Sequence, residues 1–279
     1  MDMSNQTTKK FSQKNPEPNF SSGPSSSQAP KISIRNLSKS FGSKEVLKDV
    51  SLDIFTGRSM VVIGGSGVGK SVLLKIILGL IPADSGSILI DNRPLVSSEN
   101  KISPELGKIG MLFQGAALFD SMRVWENISF RLMFADGQSR RQSRERAYEC
   151  LSLVGLNEDV GELYPSEISG GMQKRVGLAR AIAAKPEILF FDEPTTGLDP
   201  IMADVINKLI FEQVHALGAT AISITHDMKS ASKIGDEITM LHGGRIIWRG
   251  TPENLAQSGN AMVDQFINGR AEGPIRVDS

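Results

Sequence analysis

The 279-residue chain has one cysteine, Cys150. That excludes an intramolecular disulfide and a cysteine-based zinc cluster, and it suits a reducing compartment. Cys150 itself reads as a small buried helix residue. Long apolar runs are also missing. The most apolar stretch, Val72 to Ile81, is broken by Lys75 and is about half the ~20 residues a bilayer span needs. No apolar core lies within Met1 to Pro30, so no signal peptide is expected. Neither charge is in excess, with Lys+Arg and Asp+Glu at 31 each, so no global field favours nucleic acid or an anionic membrane. These absences leave a cytosolic protein, or one held at the cytosolic face of a membrane by a partner.

The stretch that dominates what is present is Gly64-Gly65-Ser66-Gly67-Val68-Gly69-Lys70-Ser71, a complete G-x-x-x-x-G-K-[ST] loop. An apolar run, Met60 to Ile63, precedes it and a helix-like run, Val72 to Leu78, follows, which is the strand–loop–helix setting such a loop needs. Its glycines let backbone N–H groups turn inward, and the helix N-terminus adds about half a positive charge, so the loop cradles a polyphosphate. Lys70 is placed to reach the β and γ phosphates and Ser71 to offer a hydroxyl to Mg²⁺. The expected ligands are a nucleoside triphosphate and Mg²⁺.

Elsewhere the chain divides by composition. Residues 1–30, rich in Ser, Asn, Gln and Pro, cannot bury enough apolar area to offset ordering and read as a disordered tail. Short strands are expected around Ile32 to Leu37 and Val46 to Ile54, with Phe41 between them as a core, surface or base-stacking aromatic. A strand at Lys108 to Phe113 ends at Gln114. Helices at Val124 to Phe134 and Ser139 to Leu156 then interrupt an otherwise alternating β/α chain. Arg140, Arg141, Arg144 and Arg146 crowd the second helix and read as a solvated face, with a protein or lipid-headgroup contact as the alternative. Alternation resumes with Ile188 to Phe191, a helix from about Ile201 to Leu217, a strand Ala219 to Ile224, and strands at Glu237 to Leu241 and Arg245 to Trp248. The expectation is an α/β fold: a mostly parallel sheet with ligand groups at strand C-termini, N-terminal antiparallel strands and a helical insert.

Asp192 and Glu193 close the apolar strand Ile188 to Phe191. Asp192 can hold Mg²⁺ directly or through water, and Glu193 can orient and polarise the water that attacks the γ-phosphate. Ser169-Gly170-Gly171 opens a helix and forms a second anion site, with N–H groups, a hydroxyl and the helix dipole.

From about Ile32 to Gly250 these residues resemble an ATP-binding-cassette ATPase. Gly64–Ser71 matches its Walker A motif, Gln114 its Q-loop, and Ser169-Gly170-Gly171 its signature. Asp192 and Glu193 match Walker B with the catalytic glutamate, Gly197-Leu198-Asp199 the D-loop, and His226 the switch histidine. Phe41 falls where the family places a base-stacking aromatic. The resemblance implies an ATPase domain over 31–250, with a helical subdomain at approximately 115–180 and an extension at 251–279. It assigns catalysis to Glu193, His226, Lys70 and Gln114, and metal contacts to Ser71, Gln114 and Asp192. Nucleotide contacts fall to Phe41, the whole loop Gly64–Ser71, Ser169, Gly170, Gly171 and Asp199. It further implies a homodimer in which Lys70 and Ser71 of one copy face Ser169 and Gly171 of the other across ATP.

One departure is Met172 where the signature commonly has Gln; methionine cannot make the glutamine's hydrogen bond. Gly170-Gly171-Met172, the stretch Leu112 to Met122, and the tail Phe266 to Pro274 are similar to the ATPases of MCE-type lipid transporters, including the Mla system. That similarity implies an MlaE-type membrane permease, a periplasmic MCE-domain partner, phospholipid cargo, and a peripheral position at the cytoplasmic face of an inner membrane. The tail is expected to touch the second ATPase subunit. An importer of a small solute such as an amino acid shares the same cassette core. A translation-type cassette protein would carry two Walker A loops where this chain has one. A repair-type protein needs long coiled coils or zinc cysteines, for which 122 residues between Lys70 and Asp192 and a lone cysteine leave no room.

Overall fold

A computed structural model describes residues 29–95 and 104–276, so the expected disordered tail lies almost wholly outside the described residues. In chain order come β1 (Pro30–Phe41), β2 (Lys44–Phe55), β3 (Ser59–Ile63), α1 (Lys70–Ile77), β4 (Ser85–Ile90) and β5 (Arg93–Pro94). Then follow β6 (Ile109–Leu112), α2 (Val124–Phe134), α3 (Arg140–Leu153) and α4 (Gly170–Ile182). The last group is β7 (Ile188–Asp192), α5 (Pro200–Leu217), β8 (Thr220–Ile224), α6 (Met228–Ile234), β9 (Glu237–His242), β10 (Arg245–Gly250) and α7 (Ala261–Ile267).

Two sheets result. The first is antiparallel in the order β2-β1-β4-β5. The second runs β10-β9-β3-β8-β7-β6 and is parallel except for β10. Strands of the second sheet are apolar on both faces because successive side chains leave a strand on opposite sides and both sides are covered. Met60, Val62, Ile188, Phe190, Ile222 and Ile224 pack toward the first sheet and α1. Val61, Ile63, Leu189, Phe191 and Ala221 pack into the other core, which also takes in Val124, Trp125 and Ile128 of α2 and Cys150 and Leu151 of α3. Cys150 is buried there, and burial pushes its thiol up to about 11.

The expected helix over 139–156 stops at Leu153 because Gly155 turns left-handed at φ +68°, a common helix stop. The four arginines are paired rather than free. Arg140 bonds Glu126 (2.8 Å) and lies over the Trp125 ring, and Arg144 bonds Glu162 (2.6 Å). Arg141 and Arg146 pair with Glu145 and Glu149. The short helix α6 is not among the elements expected from sequence; Asp227 caps it by accepting from Lys229 N (3.0 Å).

Candidate functional site

Because β3, β8, β7 and β6 are neighbours in the parallel sheet, their C-terminal ends form one edge. That edge carries Gly64 onward after β3, His226 after β8, Asp192 and Glu193 at the end of β7, and Gln114 after β6. Loops at the carboxyl ends of parallel strands are where such sheets hold ligands.

In the phosphate loop, Gly64, Gly67 and Gly69 take φ of +151°, +73° and +110°. A Cβ on Gly69 would come within 2.9 Å of Leu47 and 3.0 Å of the Val46 carbonyl, so both conformation and space demand glycine there. Gly69 is also the N-cap of α1, which directs the first N–H groups of the helix at the loop's concavity. Lys70 is buried, and its Nζ donates to the carbonyls of Gly64 (2.8 Å) and Gly65 (2.9 Å). Burial pulls its ammonium below the usual lysine range, opposed by the charges of Glu193 and Asp192. Ser66 and Ser71 are exposed, and the Val68 side chain packs against the core around α1.

Burial raises the Asp192 carboxyl above its ordinary range, and the Glu193 charge adds to it; Lys70, Lys75 and Lys174 work against the rise. Glu193 sits at φ +47°, uncommon for a side-chain-bearing residue, with its N–H donating to Ile224 O (2.9 Å). Strained backbone of this kind gathers at functional sites. His226 Nδ1 lies 2.9 Å from Glu193 Oε2, and Thr196 Oγ1 donates to the same oxygen (3.1 Å). His226 is 60% exposed at its side chain, so its ring can reach a ligand in front of the sheet.

The Gln114 side chain is exposed. Its main-chain carbonyl accepts from Lys174 Nζ of α4. Ser169 caps α4, with Oγ accepting from Met172 N (3.3 Å), and Asp199 caps α5 by accepting from Ile201 N (2.9 Å) and Met202 N (3.0 Å). Among the described residues, no hydrogen bond or ion pair joins the Ser169 turn to Gly64–Ser71. The structure therefore brings together Lys70, Asp192, Glu193 and His226, and leaves Ser169, Gly170 and Asp199 outward-facing. Phe41, at the end of β1, is 52% exposed with Lys39 Nζ 5.5 Å above its ring.

Ser71, Asp192 and Gln114 offer hard oxygen donors. Among the described residues no group of three or more His, Cys, Asp or Glu could hold a metal. The donor set of one carboxylate, a hydroxyl and an amide oxygen is of the kind Mg²⁺ takes, since that ion uses one or two carboxylates and leaves its remaining positions to phosphate and water.

Sequence reasoning had not marked Thr196, Lys174, Arg180 or Met202. Met202 Cε would sit 2.8 Å from a Cβ on Gly171, so α5 presses directly on the signature turn. Lys174, Arg180 and Met202 act on residues distant in sequence and so carry no local signal, while Thr196 bonds Glu193, three residues before it, in a turn that no motif marks.

A strand-end Walker B pair facing a phosphate loop, with a separate glycine turn on α4, defines an ATP-binding cassette. The chain belongs to the ABC transporter ATPase family, whose model, described as ABC transporter, matches residues 47–196. It is an ATP-hydrolysing subunit of that family.

The chain is 40% identical over 245 residues to the probable ribonucleotide transport ATP-binding protein mkl of Mycobacterium leprae, covering 88% of this chain and 70% of the relative. It is 36% identical over 246 residues to the intermembrane phospholipid transport system ATP-binding protein MlaF of Haemophilus influenzae, covering 88% and 93%. The sulfate/thiosulfate import ATP-binding protein CysA of Neisseria meningitidis is 36% identical over 240 residues, covering 85% and 66%. Among solved structures, the dimeric post-hydrolysis state of the ATP-binding cassette MJ0796 bound to ADP and Pi aligns with TM-score 0.70 and 32% identity, over 79% of this chain and 98% of that one.

Proposed function

We propose that the chain is the motor of a phospholipid transporter of the Mla/MCE type, peripheral at the cytoplasmic face of an inner membrane. Its relatives carry different cargo names, as expected if cargo is chosen by other subunits. The observation that supports the lipid reading is the MlaF relative, 36% identical over 246 residues and covered over 93% of its length.

In this reading ATP lies between two copies, on Gly64–Ser71 of one and Ser169-Gly170-Gly171 of the other, with Phe41 on the base. Ser71, Gln114 and Asp192 would hold Mg²⁺, which supplies charge neutralisation at the β and γ phosphates. Lys70 exchanges its two carbonyl partners for phosphate oxygens. Glu193 orients the attacking water and draws its proton, while His226 holds Glu193 through Nδ1 and turns its other ring nitrogen to the γ-phosphate. Asp199 fixes the turn that meets the second copy.

An MlaE-type permease takes the face beside Gln114, where Phe119, Phe130 and Phe134 stack with centroids 4.8 Å apart and Phe134 is 68% exposed. Among the described residues no helix is long and apolar enough to cross a membrane, and in this reading the permease supplies the membrane position. The test is to isolate the tagged chain with its membrane complex and follow ATPase rate against added phospholipid and added sulfate or amino acids. Co-isolation of an MCE-domain protein and stimulation by phospholipid is the expected result. Stimulation by a small solute with its binding protein instead would overturn the cargo.

A further inference from the structure

Helix α4 begins with the signature turn and then lies along β6, the strand that ends at Gln114. The seam between them has no slack. A Cβ on Gly110 of β6 would meet the Ala181 carbonyl of α4 at under 3.0 Å, and one on Gly177 of α4 would stand 2.7 Å from Leu112 and 3.2 Å from Ala116. Above these contacts, two cations of α4 reach the carbonyls of the loop that follows. Lys174 Nζ donates to Gln114 O. Arg180 donates through Nη1 to Ala117 O (2.6 Å) and through Nη2 to Ala116 O (2.5 Å). Ala116 and Ala117 hold left-handed φ of +58° and +49°, a conformation alanine adopts only when its surroundings impose it.

We infer that Lys174, with Arg180, is a positioning residue that locks the Gln114 loop to the signature helix, so that nucleotide sensed at Gln114 moves the Ser-Gly-Gly turn of the same chain. The turn serves the opposite copy in the two-copy reading above, on which the functional meaning of the lock rests. A packed helix–strand seam alone would resist sliding, but it would leave the exposed loop free to shift on its own. Carbonyl clamps remove that freedom. Lys174 is buried, and burial lowers its ammonium while the charges of Asp192 and Glu193 hold it up, so the clamp also lies in the field of the Walker B pair. Small shifts pass between sites when one packed unit connects them.

The experiment is hydrogen exchange on the full chain, diluted until sedimentation shows single copies, with and without Mg·ATP. In the unaltered chain, nucleotide protects amides at 114–117 and also those at 169–173, which nucleotide does not touch within one copy. Lys174→Met nearly conserves volume, and water can take the place of Nζ at the exposed Gln114, so the fold is retained. This variant keeps protection at 114–117 and loses it at 169–173, and Lys174→Arg restores it. At concentrations where copies associate, kcat of Lys174→Met falls ~10-fold, inside the range for residues that carry coupling, with nucleotide affinity of the single copy unchanged. Protection at 169–173 that persists in Lys174→Met, or that is missing from the unaltered chain, overturns the inference. Because the exchange readout needs one copy only, failure of the two-copy reading would show separately, as no association at any concentration.

Discussion

At the scale of single residues, the site is an arrangement of charges that have little reason to be stable together. Asp192 and Glu193 are adjacent acids at the end of a buried strand, and burial together with Glu193 keeps the Asp192 carboxyl raised. A carboxyl whose folded value is raised contributes stability at low pH, and that contribution is lost as pH climbs through the raised value. Without metal or nucleotide, the charged form of Asp192 is therefore a cost at neutral pH and no cost in acid. Asp192→Asn removes that cost. The difference in melting temperature, variant minus unaltered, should grow as pH rises from 4 to 7 when followed by scanning calorimetry. Adding Mg·ATP should reverse the order, because ligand stabilises only the chain that binds it. A difference that stays flat with pH would mean Asp192 is held charged at no cost. The adjacent-acid motif was legible in the chain as written, since an apolar run ending in two acids is local. The left-handed φ of Glu193 and its contact with His226 were not, because they depend on how β7 and β8 align.

At the scale of elements, what could be read from sequence followed from periodicity and turn chemistry, and what could not was set by contacts across the fold. Strands β3 and β7 announced themselves by the unbroken apolar runs Met60 to Ile63 and Ile188 to Phe191, and β8 by its β-branched residues between Ala219 and Ile224. Helix α5 announced itself by Asp199 and Pro200 at its start and Gly218, at φ +60°, at its end. Helix α6 did not, because Met228 to Ile234 is short and half polar. Its buried Ser230 is fixed by Asp227 (2.7 Å), Asn207 (2.9 Å) and Thr195 (3.2 Å), residues from three separate segments.

The tail needs a finer reading than sequence allowed. Val263 of α7 is fully buried, and Asn260 ties the helix to Ile247 O (3.1 Å). Gln265, also buried, donates to Ile275 O (3.0 Å) and Arg270 O (3.2 Å) and accepts from Ile275 N (2.7 Å), strapping 270–276 back on its own helix. Removing residues 260–279 strips a core side chain and should cost about 3 kcal/mol or more. Removing 270–279 opens Gln265 to water and takes away Ile275, which packs half-buried against the core, and should cost less, about 1–2 kcal/mol. Denaturant titration distinguishes the two. Only the shorter cut can then ask whether the tail holds a second ATPase copy, since loss of dimer in the longer one would follow from lost stability alone.

At the scale of the whole molecule, the arrangement is half of something. Lys70, Asp192, Glu193 and His226 share one sheet edge, yet the Ser169 turn has no bond to that group and faces outward at the end of α4. In the proposed two-copy arrangement a second copy related by a two-fold axis would supply the missing half to each site, and a two-fold would make both sites alike. This can be decided by mixing two crippled chains. Lys70→Ala disables the phosphate loop, and Ser169→Arg blocks the signature turn; each alone should release phosphate near background. In a mixed dimer, one site collects both lesions and the other collects neither. With random pairing, half the dimers are mixed and each has one sound site, so equal mixing should restore up to about a quarter of unaltered activity. Glu193→Gln introduced into the Ser169→Arg chain should abolish that recovery, because the sound site draws its loop and its Walker B from that chain. The same change in the Lys70→Ala chain should leave recovery intact, because that chain gives the sound site only its signature turn. Were each site built within one chain, no mixture would recover anything, and phosphate release from the three mixtures separates the two architectures without reference to cargo or permease.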